Sequence, residues 1–163
     1  MTVNEYNKCV DAYADGVYRF ILKNIKDADT AGDIVQDAFA KMWEKVKDIS
    51  YEKSKSYLFT AAYHTMIDRI RKDKRWEDGE DMERYDKGSN PGYSDLKEIL
   101  DEALERLPEV QRSVLLLRDY EGYSYDEIGE ITGLNESQVK VYIYRARVAM
   151  KKYLVSMENL IDY

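Results

Sequence analysis

A chain of 163 residues with 32 Asp/Glu against 25 Lys/Arg has room for one ordinary domain or two small ones, and its net charge of −7 argues, taken whole, against a nucleic-acid partner. Hydrophobic residues at 44% can build a core, while 35% charged residues point to small bodies with much exposed surface. Cys9 and His64 are the only residues of their kinds, and no phosphate loop or paired His/carboxylate motif occurs, so disulfides, a cysteine metal cage and covalent catalysis lack candidate residues and no cofactor is expected.

The first stretch, MTVNEYNKCVDAYADGVYRF, carries acids among its apolar residues and fits neither a secretory signal nor a membrane span. A cytoplasmic chain with no direct membrane insertion is the expectation. Tyr6, Val10, Tyr13, Val17, Phe20 and Ile21 recur at helical spacing, and Thr2 followed by Glu5 has the pattern of a capping box. A second helix reads from Asp29, with Ile34, Val35, Ala38, Phe39, Met42 and Val46 as its apolar stripe. A third reads from about Ser56 to Trp76, with Leu58, Ala62, Met66 and Ile70 inward. Three such helices can bury one another as a small bundle.

The stretch from Glu77 to Asp95 has no apolar period and contains Gly, Ser, Asn and Pro, the composition of a flexible acidic linker. Helices resume with DLKEILDEALERL, then PEVQRSVLLLRDYEG, then two more. The expected fold is all-α: a bundle over residues 1–76, a linker over 77–95 and a second bundle over 96–163.

Summed by segment, the charge points the other way. Residues 51–76 carry seven Lys/Arg against three Asp/Glu, and residues 135–155 carry five against one. Two basic patches therefore sit on an acidic chain, and the local field decides what a surface attracts.

The second patch lies on a helix-turn-helix pattern, Ser124 to Leu154. Ser124 and Glu127 can form a capping box, Gly133 stands where a left-handed residue ends a helix, and Asn135 can cap the next one. Gly129 supplies the small residue that two closely crossing helices need. Val139, Ile143, Ala146, Met150 and Leu154 form an inward stripe. Ser137, Gln138, Val141, Tyr144 and Arg145 then face outward on the half of a recognition helix that meets base edges, with Lys140, Arg147, Lys151 and Lys152 suited to phosphates.

On the third helix Tyr57, Phe59, Tyr63 and Trp76 are interleaved with Arg69, Arg71, Lys72, Lys74 and Arg75. Cations that hold a backbone and aromatics that accept an unstacked base suit melted or single-stranded DNA. A basic helix end with core aromatics is the competing reading.

DIVQDAFAKMW, SYLFTAAYHTMIDRIRKDKR and LERLPEVQRSVLLLRDYEGYSYDEIGEITGLNESQVKVYIYRAR resemble, in that order, the extracytoplasmic-function (ECF) group of bacterial sigma factors. The resemblance runs from about Tyr6 to Leu154 and implies a sigma-2-like domain and a sigma-4-like domain that direct core RNA polymerase to promoters and help to open them. It implies that Asp33, Gln36, Asp37, Lys41 and Trp43 dock on the clamp helices of the polymerase largest subunit, Phe39 being core in either reading. It implies that Tyr57, Tyr63, His64, Arg69, Arg71, Lys72, Lys74, Arg75 and Trp76 serve the −10 element, together with the loop ahead of their helix. It implies that Ser137, Gln138, Lys140, Val141, Tyr144, Arg145 and Arg147 serve the −35 element. By the same resemblance the acidic linker would follow polymerase channels used by nucleic acid, and an anti-sigma factor, frequently membrane-bound, is a further partner.

The sequence departs from the group at several places. His64 replaces the usual Asn, Tyr57 the usual Trp and Gly129 the usual Ala, while Val141 and Tyr142 stand where many relatives carry Ser and Arg, so the −35 preference is this chain's own. The alternative in another functional class is a stand-alone DNA-binding regulator whose first bundle dimerises or senses a signal; it would bind operator duplex without polymerase.

Overall fold

The computed structural model describes the backbone of residues 1–77 and 95–161 and the side chains of residues 1–74 and 96–158. The expected linker falls almost wholly outside the described residues. Everything described is helix or short connection, in two bundles.

The first bundle contains α1 (Val3–Ile25), α2 (Ala28–Glu44) and α3 (Ser54–Glu77). α1 opens on the expected capping box: the Glu5 N–H donates to Thr2 Oγ1 at 3.1 Å and the Thr2 N–H to Glu5 Oε1 at 2.8 Å. It ends at Lys26, a non-glycine in the left-handed region with φ 55°. Asp27 caps α2 by accepting from the Asp29 and Thr30 N–H groups. Val46, expected on the α2 stripe, lies beyond the helix end, and its carbonyl accepts from the Met1 ammonium at 2.9 Å. A single 3-10 turn, Tyr51–Lys53, leads into α3, which starts two residues earlier than the apolar spacing predicts.

The second bundle contains α4 (Asp95–Glu105), α5 (Glu109–Leu115), α6 (Tyr125–Thr132) and α7 (Glu136–Ile161). α5 runs into a wide π-type turn, Leu116–Tyr120, in which the Glu121 N–H reaches back to the Leu116 carbonyl at 3.0 Å. The sequence period predicts one plain helix here; the extra residue per turn leaves no mark in an apolar spacing.

The two bundles pack against each other, and one continuous set of buried side chains runs through both. Tyr123, from the segment ahead of α6, is buried edge-on against Phe59 of α3 with ring centroids 5.2 Å apart, and the Lys55 ammonium lies 4.5 Å over its ring. Phe59 in turn packs against Phe20 of α1. Polar pairs frame this contact. Arg19 meets Glu121 through two N–H···O bonds of 2.9 Å, and Lys26 meets Glu105 at 3.1 Å. Asn24, buried near the end of α1, donates to the Phe20 carbonyl and accepts from Arg112 Nε at 2.9 Å and the Ser113 hydroxyl at 3.3 Å.

Candidate functional site

In the helix-turn-helix, α6 opens on the expected reciprocal box: the Glu127 N–H donates to the Ser124 hydroxyl at 3.2 Å and the Ser124 N–H to Glu127 Oε1 at 3.1 Å. Gly133 closes α6 with φ 79°, a conformation that a Cβ would strain. A Cβ at Gly129 would sit 2.9 Å from the Leu134 carbonyl oxygen, so the small residue makes room for the turn itself. Asn135 and Gln138 form a second reciprocal cap at 3.0 and 2.8 Å, which starts α7 at a fixed angle. Ile128, Ile131, Val139, Ile143 and Ala146 are buried between the helices, as the stripe predicts, while Met150 and Leu154 are only half-buried.

That packing leaves Ser137, Gln138, Lys140, Val141, Tyr144, Arg145 and Arg147 exposed on the opposite side. Several are engaged within the chain. The Gln138 side-chain oxygen belongs to the cap, Lys140 pairs with Glu136 at 3.1 Å, and Arg147 forks onto Asp119 at 2.6 and 3.2 Å. The bond to Asp119 raises the Arg147 pKa, and the pair stays half-exposed to solvent.

On α2, Asp33, Gln36, Lys41 and Trp43 are exposed and Asp37 is half-buried. Trp43 is 48% exposed, yet its ring is braced edge-on by Tyr6 at 5.0 Å, whose hydroxyl donates to the Phe39 carbonyl at 2.9 Å. Lys41 bridges Asp37 at 3.0 Å and Thr65 of α3 at 3.2 Å. Asp33, Asp37 and Lys41 share one hollow of about 410 Å³ with Arg69 and Lys72 of α3. Three of the five residues of the expected polymerase-docking set thus share a mixed-charge hollow with two of the expected −10 set.

The aromatics of α3 divide differently from the sequence reading. His64, Arg69, Arg71, Lys72 and Lys74 are exposed, and Tyr57 is half-buried. Tyr63, expected to offer its face to a base, is only 6% exposed; burial pushes its phenol pKa up, with Glu109 of the second bundle adding to the effect. Phe59 is buried under Tyr123. In this arrangement neither ring can accept a base, because the second bundle covers that side of α3. The side chains of Arg75 and Trp76 lie outside the described residues. Sequence reasoning missed the residues that make the seam: Arg19, Asn24, Arg112, Glu121 and Tyr123. An asparagine inside an apolar stripe was the one available signal, since a buried amide needs partners.

The described residues thus form two helical bundles, one carrying a helix-turn-helix whose outer face bears cations. The family described as Sigma-70 region 2 matches residues 9–76, and Sigma-70, region 4 matches residues 97–150. RNA polymerase sigma factor SigV of Bacillus subtilis (strain 168) is 35% identical over 146 residues, covering 88% of this chain and 87% of its own. ECF RNA polymerase sigma factor SigM of the same organism is 28% identical over 93% of this chain and 94% of its own. Among solved structures, the sigma factor RpoE in complex with the anti-sigma factor NepR from Bartonella quintana superposes with a TM-score of 0.79 at 25% identity, covering 93% of this chain and 98% of that one. The chain belongs to the RNA polymerase sigma factors, in the ECF group. It is a promoter-directing transcription initiation factor. Among the described residues no helix is long and apolar enough to cross a membrane.

Proposed function

We propose that the first bundle, residues 1–76, carries polymerase docking and −10 recognition, and that residues 96–163 carry −35 recognition, the connecting segment serving as a tether. The docking surface is Asp33, Gln36, Asp37, Lys41 and Trp43 of α2. It is supported by an exposed indole that the fold braces from beneath, a common form for an anchor at a protein interface. The −10 surface is the exposed part of α3, His64 to Lys74, joined by Tyr57, Arg75 and Trp76; Tyr63 would take part only when the bundles separate. The −35 surface is the outer face of α7 from Ser137 to Arg147.

The observation that carries this reading is the outer face of α7: a capped helix, set at a fixed angle by Gly133, with its exposed residues flanked by cations on an otherwise acidic chain. The protein does no covalent chemistry in this reading. It works in the cytoplasm, where binding energy captures separated bases once polymerase has positioned them. An anti-sigma factor is a further partner, supported by the similarity of the two-bundle arrangement to RpoE solved in complex with one. The test is transcription in vitro with core polymerase on a promoter library. Initiation from a defined sequence class, dependent on this chain, is expected; tight binding to operator duplex without polymerase, and no initiation, would favour the stand-alone regulator.

A further inference from the structure

The outer face of α7 is more apolar than phosphate binding requires. Gln138, Lys140 and Arg147 make side-chain bonds within the chain, whereas Ser137, Val141, Tyr144 and Arg145 on the same face make none among the described residues. These lie at spacings of four, three and one and so form a single stripe. Val141 is 43% exposed and Tyr144 69% exposed, although the core of this bundle is already filled by Val139, Ile143 and Ala146. These two side chains lie on one stripe of a helix whose inner face is already packed, so their exposed parts are available to a partner.

In the major groove of duplex DNA the apolar feature of a base edge is the C5-methyl group of thymine. Arg145, with no partner among the described residues, and Lys151 and Lys152 further along α7 supply the positive field that brings the helix to the groove. We propose that Val141 and Tyr144 are the specificity-determining pair of this helix-turn-helix and read thymine methyl groups in the upstream promoter element. The inference rests on the assignment of α7 to that element and names what it reads there. Among base edges the valine side chain has only the thymine methyl group to pack on; Tyr144 can cover a second one while its hydroxyl reaches a phosphate.

The test uses the reconstituted holoenzyme. Promoters are first selected from a library randomised across the upstream element. Each thymine of the selected element, on either strand, is then replaced singly by uracil, which removes the methyl group alone. One or two positions are expected to lose roughly fourfold in affinity, the value of one buried methylene. Val141→Ser and Tyr144→Ser should each abolish the penalty at one of those positions, with the helical signal in circular dichroism unchanged because both side chains are exposed. A selected element that lacks thymine, or is indifferent to uracil throughout, overturns the methyl reading while leaving the −35 assignment intact. An unchanged uracil penalty in both serine variants also overturns it, as does loss of polymerase binding in those variants without any uracil effect, which would make the patch a protein contact. A selection with no upstream preference at all overturns the −35 assignment together with the inference.

Discussion

The guanidinium of Arg19 forks onto the carboxylate of Glu121, joining the first helix of one bundle to the segment ahead of the helix-turn-helix in the other. The Glu121 side chain is only 6% exposed, whereas that of Arg19 is about half exposed. The pair is thus asymmetric: losing the arginine strands a carboxylate out of water, while losing the glutamate releases a cation that solvent can reach.

Arg19→Ala is therefore expected to weaken the seam more than Glu121→Gln does. The cost is about 1–2 kcal/mol, below that of a fully buried pair because solvent screens the exposed partner. Small-angle scattering should show a larger radius of gyration for Arg19→Ala with the helical content unchanged. An unaltered radius would mean that the apolar contact alone holds the bundles together.

Tyr123 carries a buried hydroxyl with no hydrogen-bond partner among the described residues. Tyr123→Phe removes that unsatisfied group and keeps the ring on Phe59, so stability should rise by about 1–3 kcal/mol. The variant should also change the alkaline limb. Burial holds the Tyr123 phenol pKa far above its ordinary 10.0, whereas the unfolded chain ionises near that value. Its contribution is therefore complete below pH 10 and falls as the pH rises above it. Thermal melts from pH 8 to 11 should decline less steeply for Tyr123→Phe than for the parent; parallel curves would contradict this.

Val139 is fully buried between α6 and α7. Val139→Asp places an unpaired carboxylate there and should cost about 3 kcal/mol or more, enough to unfold the helix-turn-helix selectively. Hydrogen exchange resolves the effect by bundle, with protection expected to vanish from α6 and α7 and to persist in the buried turns of α1 and α2.

Polymerase docking and upstream recognition should separate by mutation. Asp37→Arg breaks the Asp37–Lys41 pair and reverses a charge on the α2 surface, so affinity for core polymerase should fall about tenfold or more. Arg145→Ala should leave that affinity unchanged and weaken use of the upstream element by roughly tenfold to a hundredfold. Reciprocal results would exchange the two assignments; binding assays with core enzyme and with holoenzyme on promoter DNA read them separately.

The helices, their caps and the phase of α7 were legible because each depends on residues a few positions apart: Thr2 with Glu5, Ser124 with Glu127, Val139 with Ile143. The seam was not. Arg19 and Glu121 are ordinary surface types until the fold brings them together, and Tyr123 sits in a run of tyrosines that sequence alone cannot rank. The same gap explains Tyr63 and Phe59. Aromatics among cations have the composition of a base-stacking surface, and only the position of the second bundle shows that these two rings are covered. Trp43 shows the reverse case, since its exposure could be expected, but its bracing by Tyr6 required the tertiary structure.

The wide turn at Leu116–Tyr120 has a consequence for how the bundles are coupled. Asp119, inside it, turns toward α7 and holds Arg147, whereas Glu121 and Tyr123, just beyond it, turn toward α1 and α3. One residue more or fewer in a helical segment rotates all that follows by about 100°. Coupling between the bundles is therefore a matter of phase as well as of contact strength. A single deletion in this turn would leave the helices on either side intact, yet swing Glu121 and Tyr123 out of register with their partners. Such a change would convert a clasped pair of bundles into two independent ones while leaving Arg19, Glu121, Tyr123 and Phe59 themselves in the sequence.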